Sequence, residues 1–287
     1  MKIVRSRYAG ACYGVERALA LVNKAACVAQ TSKNNAGVYT LGPLIHNPQV
    51  VSELRERGVK QADAVEQVEE GILVIRSHGV APAVIEQARL KGLRVVDATC
   101  PHVSKAHKAA QQLRERGYLV VVVGELGHPE VEGIRAYAGD DAIVVQEPSD
   151  LPKDLKSSKI GIVVQTTQVV GALNAIIDAL KKRNITPIVR NTICFATRQR
   201  QEAAIKLAAT VDVMVVVGGR NSGNTTRLAQ LCQTVCSRTH HVESPAELVK
   251  AWFKDTTAVG ITAGASTPEN QIIAVEEALH AFERQKP

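Results

Sequence analysis

Apolar runs rich in Val and Ile alternate with amphipathic stretches along this chain, and the alternation repeats three times. The first run of each third is Val-Tyr-Thr-Leu-Gly (38–42), Leu-Val-Val-Val-Val-Gly (119–124) and Val-Met-Val-Val-Val-Gly (213–218). A second run follows in each: Ile-Leu-Val-Ile-Arg-Ser-His-Gly (72–79), Ile-Gly-Ile-Val-Val-Gln-Thr-Thr (160–167) and Ala-Val-Gly-Ile-Thr-Ala-Gly-Ala-Ser (258–266). Helical periodicity comes next, over 81–91, 168–183 and 268–283. Strands that read as unbroken apolar runs and alternate with helices indicate parallel sheets covered on both faces. The pattern predicts an α/β fold of three similar small domains with mostly parallel sheets. A pseudo-threefold, trefoil-like arrangement around a central cleft is expected. The expected domains are 13–99, 100–192 and 193–287, with an N-terminal strand in 1–12. That strand leads into a cysteine, as do the strands ending at 97–99 and 189–191, so it is expected to pair within the third domain and close the ring.

Ligands of such sheets bind beyond the carboxyl ends of the strands, and the polar residues of each third collect there. Cys12, Cys100 and Cys194 stand 88 and 94 residues apart, each between an extended segment and a basic, helix-like stretch. A lone cysteine is commonly a small core residue. Zinc prefers four protein ligands, usually with close Cys-x-x-Cys pairs. Three separated thiolates suit an iron–sulfur cluster, which would leave one iron of a four-iron cube without a cysteine. Core and cluster both stay open on spacing alone. Cys27, Cys232 and Cys236 lie off the repeat and are read as core.

His46, His78 and His128 fall at strand-end turns that open helices, where an imidazole, backbone N–H groups and the helix dipole favour phosphate. Ser222, Asn224 and Ser266 occupy the matching turns of the last third, where capping is the competing explanation. His102, His107, His240, His241 and His280 are assigned to helices or surfaces. Glu130 follows His128-Pro129 in the first turn of a helix. The dipole alone favours a carboxylate there; a buried proton donor, its protonated form favoured by desolvation, is the alternative. Thr166 and Thr167 stand at the corresponding turn and would orient or relay that proton.

At 287 residues, 45% of them hydrophobic and 22% charged, the chain suits two or three soluble domains. No apolar run nears the roughly 18 residues of a membrane span, and the start, Met-Lys-Ile-Val-Arg-Ser-Arg-Tyr, lacks the apolar core of a signal peptide. A cytoplasmic protein without disulfides and without a membrane partner is expected. The net charge of +7 points first to nucleic acid, but aromatics at 3% leave few stacking platforms, and no helix-turn-helix or zinc-finger spacing occurs. An anionic substrate, or an acidic protein partner steered by long-range charge, explains the excess at least as well.

Nine motifs together resemble the LytB family over essentially the whole chain. They are Gly-Ala-Cys12-Tyr-Gly-Val-Glu-Arg-Ala, Leu-Ile-His46-Asn, Ser-His78-Gly-Val, Asp-Ala-Thr-Cys100-Pro, Gly-His128-Pro-Glu130-Val-Glu-Gly, Gln165-Thr-Thr, Ile-Cys194-Phe-Ala-Thr-Arg-Gln-Arg-Gln-Glu-Ala, Asn221-Ser-Gly-Asn224-Thr-Thr-Arg-Leu and Thr-Ala-Gly-Ala-Ser266. The resemblance implies a [4Fe–4S] cluster on Cys12, Cys100 and Cys194 with one open iron, and no bound nucleotide. It implies an iron–sulfur reductase that removes the hydroxyl of 4-hydroxy-3-methylbut-2-enyl diphosphate with two electrons and two protons. The products are isopentenyl and dimethylallyl diphosphate plus water, the last step of the non-mevalonate isoprenoid pathway. It places the diphosphate among His46, His78, Ser222, Gly223, Asn224 and Ser266, with His128 and Thr167 close by. It makes Glu130 the proton donor, with Thr166 and His128 in its hydrogen-bond network. It also implies an acidic ferredoxin or flavodoxin as electron donor. One departure stands out: many members carry two serines or Ser-Asn where this chain has Ser222-Gly223, so only the backbone N–H of Gly223 can meet a phosphate. Two alternatives differ in class. A non-redox [4Fe–4S] lyase or synthase of the quinolinate-synthase type would turn over without consuming electrons. A non-enzymatic iron–sulfur sensor would bind nucleic acid in a salt-sensitive way.

Overall fold

The structure, a computed structural model, describes residues 1–31, 37–155, 157 and 159–284. Its elements run β1 (Lys2–Arg5), α1 (Tyr13–Thr31), β2 (Val38–Leu41), α2 (Pro48–Glu56), β3 (Val59–Ala62), β4 (Ile72–Ile75), α3 (Pro82–Leu90) and β5 (Arg94–Asp97). Then come α4 (Pro101–Glu115), β6 (Leu119–Val123), α5 (Pro129–Ala138), β7 (Ile143–Val145), β8 (Ile160–Val164), α6 (Val170–Lys181) and β9 (Ile188–Arg190). The last are α7 (Phe195–Ala208), β10 (Val213–Val217), α8 (Gly223–Gln233), β11 (Thr239–Val242), β12 (Ala258–Ala263) and α9 (Glu269–Arg284). Proline opens α3, α4 and α5, where the first turn needs no N–H donor.

The strands form three four-stranded sheets, with every pairing parallel. All three share one order: β3-β2-β4-β5, β7-β6-β8-β9 and β11-β10-β12-β1. The N-terminal strand therefore does join the last sheet, Lys2 opposite Ala258 and Arg5 opposite Ile261. It ends at Arg5, because past Ser6 the chain turns, Ala9 N–H donating to the Ser6 carbonyl.

The chain divides into two compact units. The first comprises Met1–Val15, His46–Pro48 and Phe195–Pro287, the second Glu16–Ile45 and Gln49–Cys194. In the first unit, alternate residues of β10 serve opposite faces of the sheet. Val213, Val215 and Val217 pack with Val242, Ile261, Ile272 and Leu279. Met214 and Val216 pack with Ala204, Leu228, Cys232 and Cys236. The second unit repeats the device in β6. Val121 and Val123 meet Ile162, Leu173 and Ile176, while Val120 and Val122 meet Leu113 and Ile134. Its other sheet buries Leu73 and Ile75 against Leu41, Ala88 and Leu93. Each Val, Leu, Ile or Met among these contributes roughly 1.5–3 kcal/mol relative to exposure, and covering both faces is why these strands read as unbroken apolar runs. Among the described residues, no helix is long and apolar enough to cross a membrane.

Candidate functional site

The three repeat cysteines are of intermediate exposure and outside any disulfide, each directly before a helix: Cys12 before α1, Cys100 before α4 and Cys194 before α7. One backbone bond recurs at all three. Cys12 N–H donates to the Ala265 carbonyl (3.1 Å), Cys100 N–H to Ser77 (2.9 Å) and Cys194 N–H to Thr166 (2.9 Å). Each acceptor lies two residues beyond the strand beside the cysteine's own, β12, β4 or β8. Arginines hold two of the approaching segments: Arg200 donates to the Gly10 carbonyl (2.7 Å) and Arg17 to the Thr99 carbonyl (3.0 Å). Soft thiols fixed by their backbones, at strand ends facing the positive ends of helix dipoles, suit an iron–sulfur group. Among the described residues, no three His, Cys, Asp or Glu side chains are grouped to hold a single metal ion directly.

The second unit holds Glu130, His128 and Thr166. Glu130, in the first turn of α5, is 2% exposed. Thr166 N–H donates to its Oε1 (2.6 Å) and the Thr166 hydroxyl to its Oε2 (2.9 Å). Because the Thr166 carbonyl also takes the Cys194 N–H, the carboxyl group is one residue removed from a cysteine. His128 caps α5, its Nδ1 accepting from Glu130 N–H (3.0 Å), which puts the ring proton on Nε2. Its ring meets that of His78 edge to face, centroids 5.5 Å apart. The repeat geometry also separates the two threonines. Thr166 is the cysteine's tether, as Ser77 and Ala265 are, whereas Thr167 matches His78 and Ser266.

The first unit holds the remaining turn residues. Ser222 caps α8, its Oγ accepting from Thr225 N–H (3.4 Å), and Gly223 is the first residue of that helix. Asn224 is buried, and its Nδ2 has no hydrogen-bond partner among the described residues. A buried donor in the first turn of a helix is a fitting contact for an anion. The Ser266 hydroxyl donates to the His46 carbonyl (3.0 Å) and lies 3.4 Å from Ser222 Oγ. To serve an anion it must turn away from that carbonyl. His46 belongs here because Asn47 is anchored: its Nδ2 donates to the Ser266 carbonyl (3.0 Å) and to Gln271 Oε1 (2.9 Å), and Gln271 returns a bond to Asn47 Oδ1 (3.3 Å).

Two expectations need correction. Cys27 is exposed and not core: the buried stripe of α1 is Ala18, Val22, Ala25 and Ala29, and Cys27 projects from the opposite side. His107 lies in a helix, as expected, and is buried there, stacked on Tyr137 at 4.5 Å. His240 and His241 belong to strand β11; His240 stacks on Trp252 at 3.9 Å and His241 Nε2 bonds the Gly218 carbonyl. Cys232 and Cys236 are core, as expected, and burial, with the neighbouring Cys236 adding to it, pushes the Cys232 thiol up to about 12. Sequence reasoning passed over Asn47, Gln271, Arg17 and Arg200 as positioning groups. Asn47 and Arg200 stand inside quoted motifs, but their partners are about 200 residues away in the chain.

A family model described as LytB protein matches residues 3–280. A 4-hydroxy-3-methylbut-2-enyl diphosphate reductase of Citrifermentans bemidjiense is 46% identical over 287 residues, 100% of this chain and 99% of its own. The protein of that name from Pelobacter propionicus is 46% identical over 269 residues, 94% of each chain. A solved (E)-4-hydroxy-3-methyl-but-2-enyl diphosphate reductase, described as the terminal enzyme of the non-mevalonate pathway, aligns with TM-score 0.71 and 42% identity. The match covers 98% of this chain and 100% of that one. The E-1-hydroxy-2-methyl-but-2-enyl-4-diphosphate reductase of Plasmodium falciparum aligns with TM-score 0.88 and 25% identity over 99% of both chains.

Proposed function

The chain belongs to the LytB family, and we propose that it is the cytoplasmic reductase that converts 4-hydroxy-3-methylbut-2-enyl diphosphate into isopentenyl and dimethylallyl diphosphate. The substrate hydroxyl leaves as water; two electrons and two protons are consumed. The observation that carries the reading is the run Glu130–Thr166–Cys194, a buried carboxyl bonded twice by the residue whose carbonyl holds a cysteine. It couples a proton source to a thiol within three residues.

Cys12, Cys100 and Cys194 would hold one [4Fe–4S] cluster. When bound, such a cluster supplies electrons and one iron open to an oxygen ligand. The chain's own residues supply the rest. His46, His78, Ser222, Asn224, Ser266 and the Gly223 N–H bind the diphosphate, and helix α8 adds its positive end. His128 offers Nε2–H, and Thr167 stands at the position that matches His78 and Ser266. Glu130 holds the proton. The Thr166 hydroxyl is a donor to the carboxylate and an acceptor for the acid, so it steadies both forms. The basic surface, net charge +7, favours an acidic ferredoxin or flavodoxin as the electron donor. We also propose three domains, 13–99, 100–192 and 193–287 with strand 1–12, on the ground that the three sheets share one topology.

The test is turnover of anaerobically reconstituted protein with dithionite and a viologen. Reductant consumption matched to formation of both diphosphates is the expected result. Product formation without electron uptake, or no turnover at full iron loading, would overturn the proposal.

A further inference from the structure

His107 sits on α4, seven residues after Cys100, and is 5% exposed. Nothing in the reaction just described uses it. Its ring is wedged between two backbone segments. A methyl group on Gly79 would stand 2.5 Å from its Cε1, and one on Gly133 would stand 2.8 Å from its Nε2. Cβ atoms do not approach neighbours so closely, so both positions exclude a side chain while the ring is present. Gly79, at φ +71, directly follows His78. Gly133 lies one turn beyond Glu130 on α5, and a methyl there would also stand 3.6 Å from the His78 carbonyl oxygen. One turn further along α5, Tyr137 stacks on the ring at 4.5 Å with 16° between the planes. Nε2 has no hydrogen-bond partner among the described residues. Burial holds the imidazole uncharged, its pKa lowered to about 4 against the opposing pull of Asp97. The ring is thus a flat, neutral spacer between the turn carrying His78 and the helix carrying Glu130.

We propose that His107 is a positioning residue that sets the separation of the His78 turn from helix α5, and so sets where the Glu130 proton is delivered. The readout rests on the reductase reading, because the two products differ in which carbon receives that proton. A misplaced donor therefore changes the product ratio, which the fraction of folded or iron-loaded enzyme does not.

The test compares His107→Ala, Gly133→Ala and the double variant, each reconstituted anaerobically and normalised to iron content. Each single change is expected to shift the product ratio at least about twofold and lower kcat about tenfold to a hundredfold, with KM within about threefold of the parent. Gly133→Ala is expected to cost far less on top of His107→Ala, because the clash is gone. Parental ratio and kcat in His107→Ala overturn the proposal, as does additivity in the double variant. A second arm needs no turnover: the imidazole NMR signals of His78 and His128 must move in His107→Ala, and unchanged signals overturn the proposal by themselves. A parent enzyme that fails to turn over sinks only the reductase reading, and the NMR arm still decides the role of His107.

Discussion

Glu130 has both oxygens bonded to one residue, so Glu130→Gln keeps the shape of the site and removes the transferable proton. An amide accepts the Thr166 N–H as before, and its NH2 group donates to the Thr166 hydroxyl, which can accept. Iron content and substrate affinity are expected to stay at the parental level while kcat falls about 10²–10⁴-fold; kcat above a tenth of the parent would remove Glu130 from the acid role. His107 makes a separate prediction about stability. Its folded pKa of about 4 lies below the ordinary 6.5, so the unfolded chain takes up the proton first as pH falls. Stability is intact above about pH 6.5 and declines down to about pH 4. Between pH 7 and pH 5 this group accounts for a loss of about 2 kcal/mol. Asp97 and Tyr137 face the ring, and at pH 5–7 Tyr137 stays neutral, its pKa raised by burial. Urea unfolding at the two pH values should show this decline in the parent and not in His107→Ala. Residue placement was legible where a residue type carries its own reason: a carboxyl after His-Pro at a helix start, a cysteine at a strand end. It was not legible for His107, since a histidine in a basic helix looks solvated until the two glycines across from it are known.

At the scale of elements, one turn recurs: strand, two further residues, then a carbonyl that takes the N–H of a cysteine. The apolar strands that build it were readable because burial on both faces leaves unbroken Val and Ile runs. Its polar fastenings were not. Asn47 and Gln271 are 224 residues apart, and Arg200 and Gly10 are 190 apart; neither pair forms a local pattern, and each residue type is common on surfaces. Asn47 matters most. It is 2% exposed and bonds both the Ser266 backbone and the Gln271 amide. Asn47→Ala strands a buried carbonyl and a buried amide, a loss of about 2–3 kcal/mol. It also frees His46 and Ser266, so KM for the diphosphate substrate should rise several-fold while kcat changes less. An unchanged KM in thermally destabilised enzyme would show that Asn47 supports the fold without tuning the site.

At the scale of the whole molecule, β12 is flanked by β10 on one side and β1 on the other. Deleting residues 1–8 would uncover the edge over Ala258–Ile261, in which Val259 and Ile261 are fully buried. Exposed parallel edges of that composition pair with other chains. The truncated protein is expected to scatter light and sediment, and a soluble monomer with parental circular dichroism would contradict this. The same pairing has a consequence for synthesis. Lys2 and Ala258 are partners, yet the ribosome delivers one about 256 residues before the other. At about 5–20 residues per second, the first strand waits on the order of ten to fifty seconds for a partner that does not yet exist. β1 thus leaves the exit tunnel long before the strand it zips onto, and a chaperone that shields nascent strands would find Ile3 and Val4 available throughout that interval.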